Sequence, residues 1–251
     1  MRMTEGGRVV EQVLVRACEV GDVGVTGRIL GVEGVDVNAR VDVWGWTALI
    51  GAARYGRLEV AMLLVGDPRT DVNRGSAFGA TPLLCACHNG QLGVVQTLLR
   101  VPGIDVNHAD YVDKQTPLLC ASHCGHLEVA RALLGAPGIE VDLANARGQT
   151  PLWCACVRGH AEVATALMEA GAGVHVGPNG QSPLQALCEG RGGVPKRVRA
   201  VRAAAGPVLK LLVLGGLPQT LAVDILVHGY LDGWQAAVAM LLLRRDPAGL
   251  S

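Results

Sequence analysis

Cysteine and histidine are the residues of this chain best equipped for chemistry, and their spacing first raises the question of metal binding. There are eight cysteines and seven histidines. A zinc site needs about four such sulfur and nitrogen ligands converging on one point. The pairs Cys85/Cys87 and Cys154/Cys156 have a C-x-C spacing. On a helix that spacing turns two side chains about 200° apart, so neither pair chelates one ion. Cys120 and Cys124 do share a helix face, with His123 and His126 close by, and they keep a zinc alternative open. Phosphate binding would be served by the stretch in which Arg191, Lys196, Arg197, Arg199, Arg202 and Lys210 occur. No aromatic residue is interleaved there, which favours a solvated helix face with Val198 and Val201 turned inward. There is no P-loop, G-x-S-x-G, H-E-x-x-H or paired C-x-x-C, the patterns that would place nucleophiles, phosphates or metals. The chain is expected to be no enzyme, with no catalytic residue, no cofactor and no metal.

The elements that must position these residues recur along the chain. Aligning on Thr47, Thr81, Thr116, Thr150 and Ser182 gives steps of 34, 35, 34 and 32 residues, a period that signals a stacked array. Each opening residue is suited to cap a helix, and proline follows it at Pro82, Pro117, Pro151 and Pro183, where its missing N–H costs nothing. Within the unit that begins at Thr81, Leu83, Ala86 and Cys87 fall on one face of a short first helix that Gly90 ends. Leu92, Val95, Leu98 and Leu99 mark a second helix whose apolar stripe needs a neighbouring copy to cover it. In this register Cys18, Cys87, Cys156 and Cys188 repeat one small-residue position, and Cys85, Cys120 and Cys154 repeat another. They read as reduced core thiols.

These units resemble the ankyrin repeat, through Gly148-Gln149-Thr150-Pro151-Leu152, Ala155, Gly159-His160, Val163, Leu167 and Gly171-Ala172. The resemblance covers residues 12 to 190 and implies an all-α solenoid of stacked helix-turn-helix units with short β-hairpin-like loops. The histidine that follows T-P-L in the family is replaced here by Ile50, Leu84, Leu119, Trp153 or Gln185, so more apolar stacking and less polar tying between units are expected. The resemblance further implies that the loop tips and first helices form a concave face that holds a partner protein. Carried over by position, the tips are Val43, Trp44 and Trp46; Ala77, Phe78 and Ala80; Tyr111, Val112, Asp113 and Gln115; and Ala146, Arg147 and Gln149. The helix ends add Arg54, Tyr55, His88, Asn89, His123, Val157 and Arg158. Of these, the expected partner-binding residues are Trp44, Trp46, Tyr55, Phe78, His88, Asn89, Tyr111, Asp113, His123, Arg147 and Arg158.

The composition favours the same surface. Only eight residues are aromatic, and five of them, Trp44, Trp46, Tyr55, Phe78 and Tyr111, fall at tips or helix ends. Binding surfaces are enriched in large rigid side chains of this kind. The alternative is that Trp44 and Trp46 merely cover the adjoining loop. A net charge of zero gives no global field to attract nucleic acid or an anionic membrane. The longest apolar stretch, Leu211 to Val223, is interrupted by Gly215, Gly216 and Pro218 and is too short to span a bilayer. The expectation is a monomer in the cytoplasm, with the nucleus as alternative, binding one or more proteins but neither nucleic acid nor membrane.

Residues 1–11 are expected to be a leader. Residues 12–190 form the array, with units opening near 12, 47, 81, 116, 150 and 182, and 12–38 serve as an N-terminal cap whose outer face is made polar by Arg8, Glu11 and Arg16. Residues 191–205 are a basic insertion, and 206–251 a degenerate final repeat and C-terminal helical cap. Leu217-Pro218, Leu221, Ile225-Leu226 and Leu231 also look faintly like the opening of an F-box. That similarity implies a second reading, a ubiquitin-ligase substrate adaptor whose residues 217 to 245 dock the ligase.

Overall fold

The structure, a computed structural model, describes residues 5–173 and Gly177. Among the described residues there are helices and turns but no strand. The chain divides into two compact units, residues 1–140 and 141–251. The first holds four helix pairs: α1 (Glu5–Val20) with α2 (Val23–Leu30), α3 (Ala48–Arg54) with α4 (Leu58–Gly66), α5 (Pro82–His88) with α6 (Leu92–Leu99), and α7 (Pro117–Cys124) with α8 (Leu127–Leu134). The second holds α9 (Pro151–Arg158) packed on α10 (Ala161–Glu169).

Each first helix starts where the sequence sets its cap. The hydroxyl oxygens of Thr47, Thr81, Thr116 and Thr150 accept from the backbone N–H of Ile50, Leu84, Leu119 and Trp153 at 3.2–3.3 Å. Pro82, Pro117 and Pro151 occupy the first turn. The turn to the second helix passes through a left-handed glycine, such as Gly90 at φ 69°, a conformation that glycine adopts without the steric cost of a Cβ.

Stacking then buries what one pair alone would expose. In the first unit α1, α3, α5 and α7 form one row and α2, α4, α6 and α8 a second, each helix packed on the next in its row. Leu83, Ala86 and Cys87 are fully buried. On α6 the buried residues are Val94, Val95 and Leu98, whereas Leu92 and Leu99 are half-buried. The stripe expected through Leu92 and Leu99 is corrected accordingly. The same triad recurs as Val60-Ala61-Leu64, Val129-Ala130-Leu133 and Val163-Ala164-Leu167. Contact with both row neighbours and with its own first helix makes the covered arc of α6 broader than a single apolar stripe.

At the N-terminus, α1 already begins at Glu5, so residues 5–11 are helix rather than leader. Arg16 is exposed as expected of an outer face, but Glu11 is buried, with only 4% of its surface accessible. The unit opening at Ser182, the basic insertion, the C-terminal cap and the F-box-like segment lie outside the described residues.

Ile50, Leu84 and Leu119, which stand where the family has histidine, are buried and add apolar stacking. The expected loss of polar tying does not follow, because another residue ties the units. The Asn38 side-chain N–H donates to the Arg69 carbonyl and its oxygen accepts from Asp71 N–H. Asn73 makes the same pair of bonds to Gly103 O and Asp105 N, and Asn107 to Gly138 O and Glu140 N, all at 2.8–3.0 Å. Asp36, Asp71 and Asp105 each accept from the N–H of the asparagine two residues later, holding it in place. An amide carries its donor and its acceptor on two separate atoms and so can make both bonds at once. In the second unit Asp142 has the equivalent place, and its carboxylate accepts twice from Gly173 N–H at 3.0 Å. Asn73→Ala removes a donor and an acceptor at once. It should lower stability by about 1 kcal/mol, since water can reach the orphaned groups. Asn73→Asp, which keeps only the acceptor, should fall in between; urea midpoints compare the three proteins.

Candidate protein-interaction surface

The arms between helix pairs end in tight turns closed by backbone hydrogen bonds: Val41 N–H to Trp46 O, Ser76 N–H to Ala80 O, Asp110 N–H to Gln115 O and Asn145 N–H to Gln149 O. The first and third turns are one residue longer than the other two. In every one the residue two places before the capping threonine has a left-handed backbone: Gly45, Gly79, Lys114 and Gly148. Neighbouring tips of the first unit are also joined, Ala77 N–H donating to Trp44 O at 2.9 Å and Tyr111 N–H to Phe78 O at 2.8 Å. These bonds hold the tips in register, so the loops are hairpin-like without being strands.

The same register brings three aromatic side chains into a line. Trp44 and Phe78 have ring centroids 5.8 Å apart, tilted by 47°. The Tyr111 ring lies over Gly79, so close that a Cβ there would come within 2.8 Å of it. Trp44, Phe78 and Tyr111 remain 55%, 44% and 61% exposed, and Val43 and Val112 beside them 87% and 63%. Trp44 therefore touches the adjoining tip, as the covering alternative expects, and still presents more than half its surface to solvent. Trp46 differs, because it is half-buried beneath the Arg54 guanidinium, which sits 4.5 Å from its ring centroid. The ring of Tyr55, an exposed residue, has its centroid 5.9 Å from the same guanidinium.

Gly45 and Gly79 cannot carry a side chain in this arrangement. A Cβ on Gly45 would lie 2.7 Å from the Ala77 backbone nitrogen, whereas one on Gly103, left-handed at φ 80°, would meet no described atom within 4 Å. Lys114 shows that the left-handed conformation itself is tolerated where space allows. Gly103→Ala should cost only that conformational penalty, about 1–2 kcal/mol. Gly45→Ala should cost measurably more, because it also parts the first two tips; equal urea midpoints for the two variants would contradict this account.

The remaining predicted residues spread over several settings. His88 and Asn89 are exposed at the end of α5. Asn89 folds back to donate to the Cys85 carbonyl at 2.8 Å, and His88 receives the neighbouring unit, its carbonyl accepting from His126 Nε2 at 3.2 Å. Asp113 and His123 are half-buried and engaged within the fold. Arg147 and Arg158 are exposed in the second unit. The partner of Trp46, Arg54, was legible only as a helix-end residue, and Gly79 as the seat of Tyr111 carried no signal beyond being a turn glycine.

Cys18, Cys87, Cys120, Cys154 and Cys156 are buried, and Cys85 and Cys124 half-buried; Cys188 lies outside the described residues. Burial pushes the Cys18 and Cys154 thiols up to about 12, against weaker opposing effects of the Thr26 hydrogen bond and of Arg158. Burial likewise pushes Cys85 to about 11, opposed by Arg54, and holds Cys87 well above the ordinary thiol range. A thiol kept protonated is a poor nucleophile and a poor ligand. Cys120 is buried, while Cys124 Sγ points to His88 Nδ1 at 3.9 Å. Among the described residues no group of three or more His, Cys, Asp or Glu is placed to hold a metal ion.

Among the described residues no helix is long and apolar enough to cross a membrane. A family model for ankyrin repeats in three copies matches residues 14–110, 70–145 and 108–179, together more than half of the chain. No curated protein matches it.

Proposed function

The chain belongs to the ankyrin-repeat family, whose domains are generally non-catalytic protein-interaction modules, and from that premise we propose that it holds a partner protein against the tips of its first unit. The observation that carries this reading is the line of Trp44, Phe78 and Tyr111, three exposed aromatic side chains on consecutive tips whose backbones are tied to one another. Rigid aromatics are the commonest anchors of protein interfaces because they bury much area while losing little conformational freedom. Holding them on hydrogen-bonded turns means that part of the ordering cost of binding is met on folding. Trp46 and Tyr55, both near the Arg54 guanidinium, are further candidates in the same unit. His88, Asn89 and His123 at the ends of the first helices and Asp113 at the third tip are the further candidates of the first unit, and Arg147 and Arg158 are candidates of the second unit, taken by itself.

The test is affinity capture with the full chain as bait, run beside a variant carrying Trp44→Ala, Phe78→Ala and Tyr111→Ala. A partner retained by the native chain should be lost from the variant while the thermal melts coincide. A partner held equally by both would move recognition to another face.

A further inference from the structure

Three helices of the row beside the aromatic tips lack acidic residues. Helices α3, α5 and α7, with sequences ALIGAAR, PLLCACH and PLLCASHC, contain no carboxylate at all. Seven residues after each capping threonine they carry Arg54, His88 and His123, one basic residue per helix at the same point of adjacent helices. Carboxylates of the neighbouring elements are occupied elsewhere. Glu19 on α1 is paired with Arg16 at 2.7 Å. At the tips, the Asp42 carboxylate accepts from Trp46 N–H, and that of Asp110 from Val112, Asp113 and Gln115 N–H. Asp113 is half-buried and engaged within the fold. Arg54, by contrast, is exposed, sits over the Trp46 ring at 4.5 Å from its centroid, and makes no ion pair among the described residues. A guanidinium stacked on an indole keeps its edge N–H groups available, and their fork matches a carboxylate.

We propose that this row receives the carboxylates of an extended acidic segment of the partner, with Arg54 as the principal contact, while apolar side chains of the same segment rest on Trp44, Phe78 and Tyr111. The inference rests on the tip reading above and deepens it by assigning the partner's chemistry. Carboxylates two residues apart along an extended chain project to one side, leaving the alternate side chains for the aromatic line. The stacking on Trp46 fixes the guanidinium before binding, so a carboxylate meets a donor fork already in place.

The experiment is selection of a random peptide library on the immobilised full chain, followed by fluorescence anisotropy of the selected labelled peptides. Native chain, Arg54→Glu, Arg54→Lys and the triple tip variant are compared, each checked for a native thermal melt. Enrichment of Asp and Glu alternating with apolar residues is expected. Affinity should fall on raising the salt concentration. It should drop by roughly tenfold or more in Arg54→Glu and by less in Arg54→Lys, which keeps the charge but loses the fork. Peptides that depend on the tip aromatics but show no acidic enrichment and ignore Arg54→Glu would overturn this inference and leave the tip reading standing. Acidic peptides that depend on Arg54 yet bind the triple tip variant unchanged would sink the tip reading instead. Failure to select any binder overturns the inference as well.

Discussion

Alanine in place of Trp44, Phe78 and Tyr111 together should abolish measurable binding of the captured partner while leaving the protein folded. Central interface anchors lose roughly 2–4 kcal/mol each on truncation, and each such loss weakens the dissociation constant by roughly 30- to 1,000-fold. The three share one line, with Trp44 touching Phe78 and Tyr111 seated on the next tip, so their effects should not add independently. The fold should notice little because the tips are held by backbone bonds, not by the rings: Trp44 O and Phe78 O still accept from the next tip when the side chains are gone. Trp46→Ala is an informative comparison. It removes a half-buried ring and frees Arg54, so its binding defect should be smaller than the triple variant's and accompanied by some loss of stability. Titration calorimetry with the captured partner, beside thermal melts of each variant, separates the two contributions.

Leu98→Ala should be among the most destabilising single truncations in the first unit, at about 2–5 kcal/mol. Leu98 is fully buried on α6, which packs on α4 and α8 as well as on its own α5. The cavity therefore weakens two interfaces between units along with the contact within one. In a stacked array stability is close to a sum of unit and nearest-neighbour contributions, so a defect in the middle should split unfolding into parts. Urea unfolding of Leu98→Ala should begin at lower denaturant with a broadened transition, and hydrogen exchange should rise in α4, α6 and α8 before α1 and α2. A uniform rise across all helices, with an unbroadened transition, would mean that the first unit behaves as a single cooperative body.

Residues close together in the sequence determined what is local. The threonine hydroxyls cap the helices at the positions their spacing indicates, because a cap bond spans only three residues. The 34-residue rhythm, the turn glycines and the small buried side chains at Ala86 and Cys87 were legible for the same reason. So was the placement of five of the eight aromatic residues at tips and helix ends. Tertiary structure alone decided which of these residues meet. The asparagine ladder joins Asn38, Asn73 and Asn107 to backbone groups more than thirty residues away, and its strength comes from a register that no single unit contains. Arg54 reaches Trp46 only because the arm folds back over its own first helix, and Tyr111 covers Gly79 only because neighbouring tips are bonded in register. Glu11 is buried on the face of α1 that carries Leu14, Val15 and Cys18, a placement that its charge did not signal. Capping and helical periodicity act between near neighbours and are written in their order. Side-chain direction at a tip depends on the turn, on the next unit and on their stacking, and these exist only once the chain has folded.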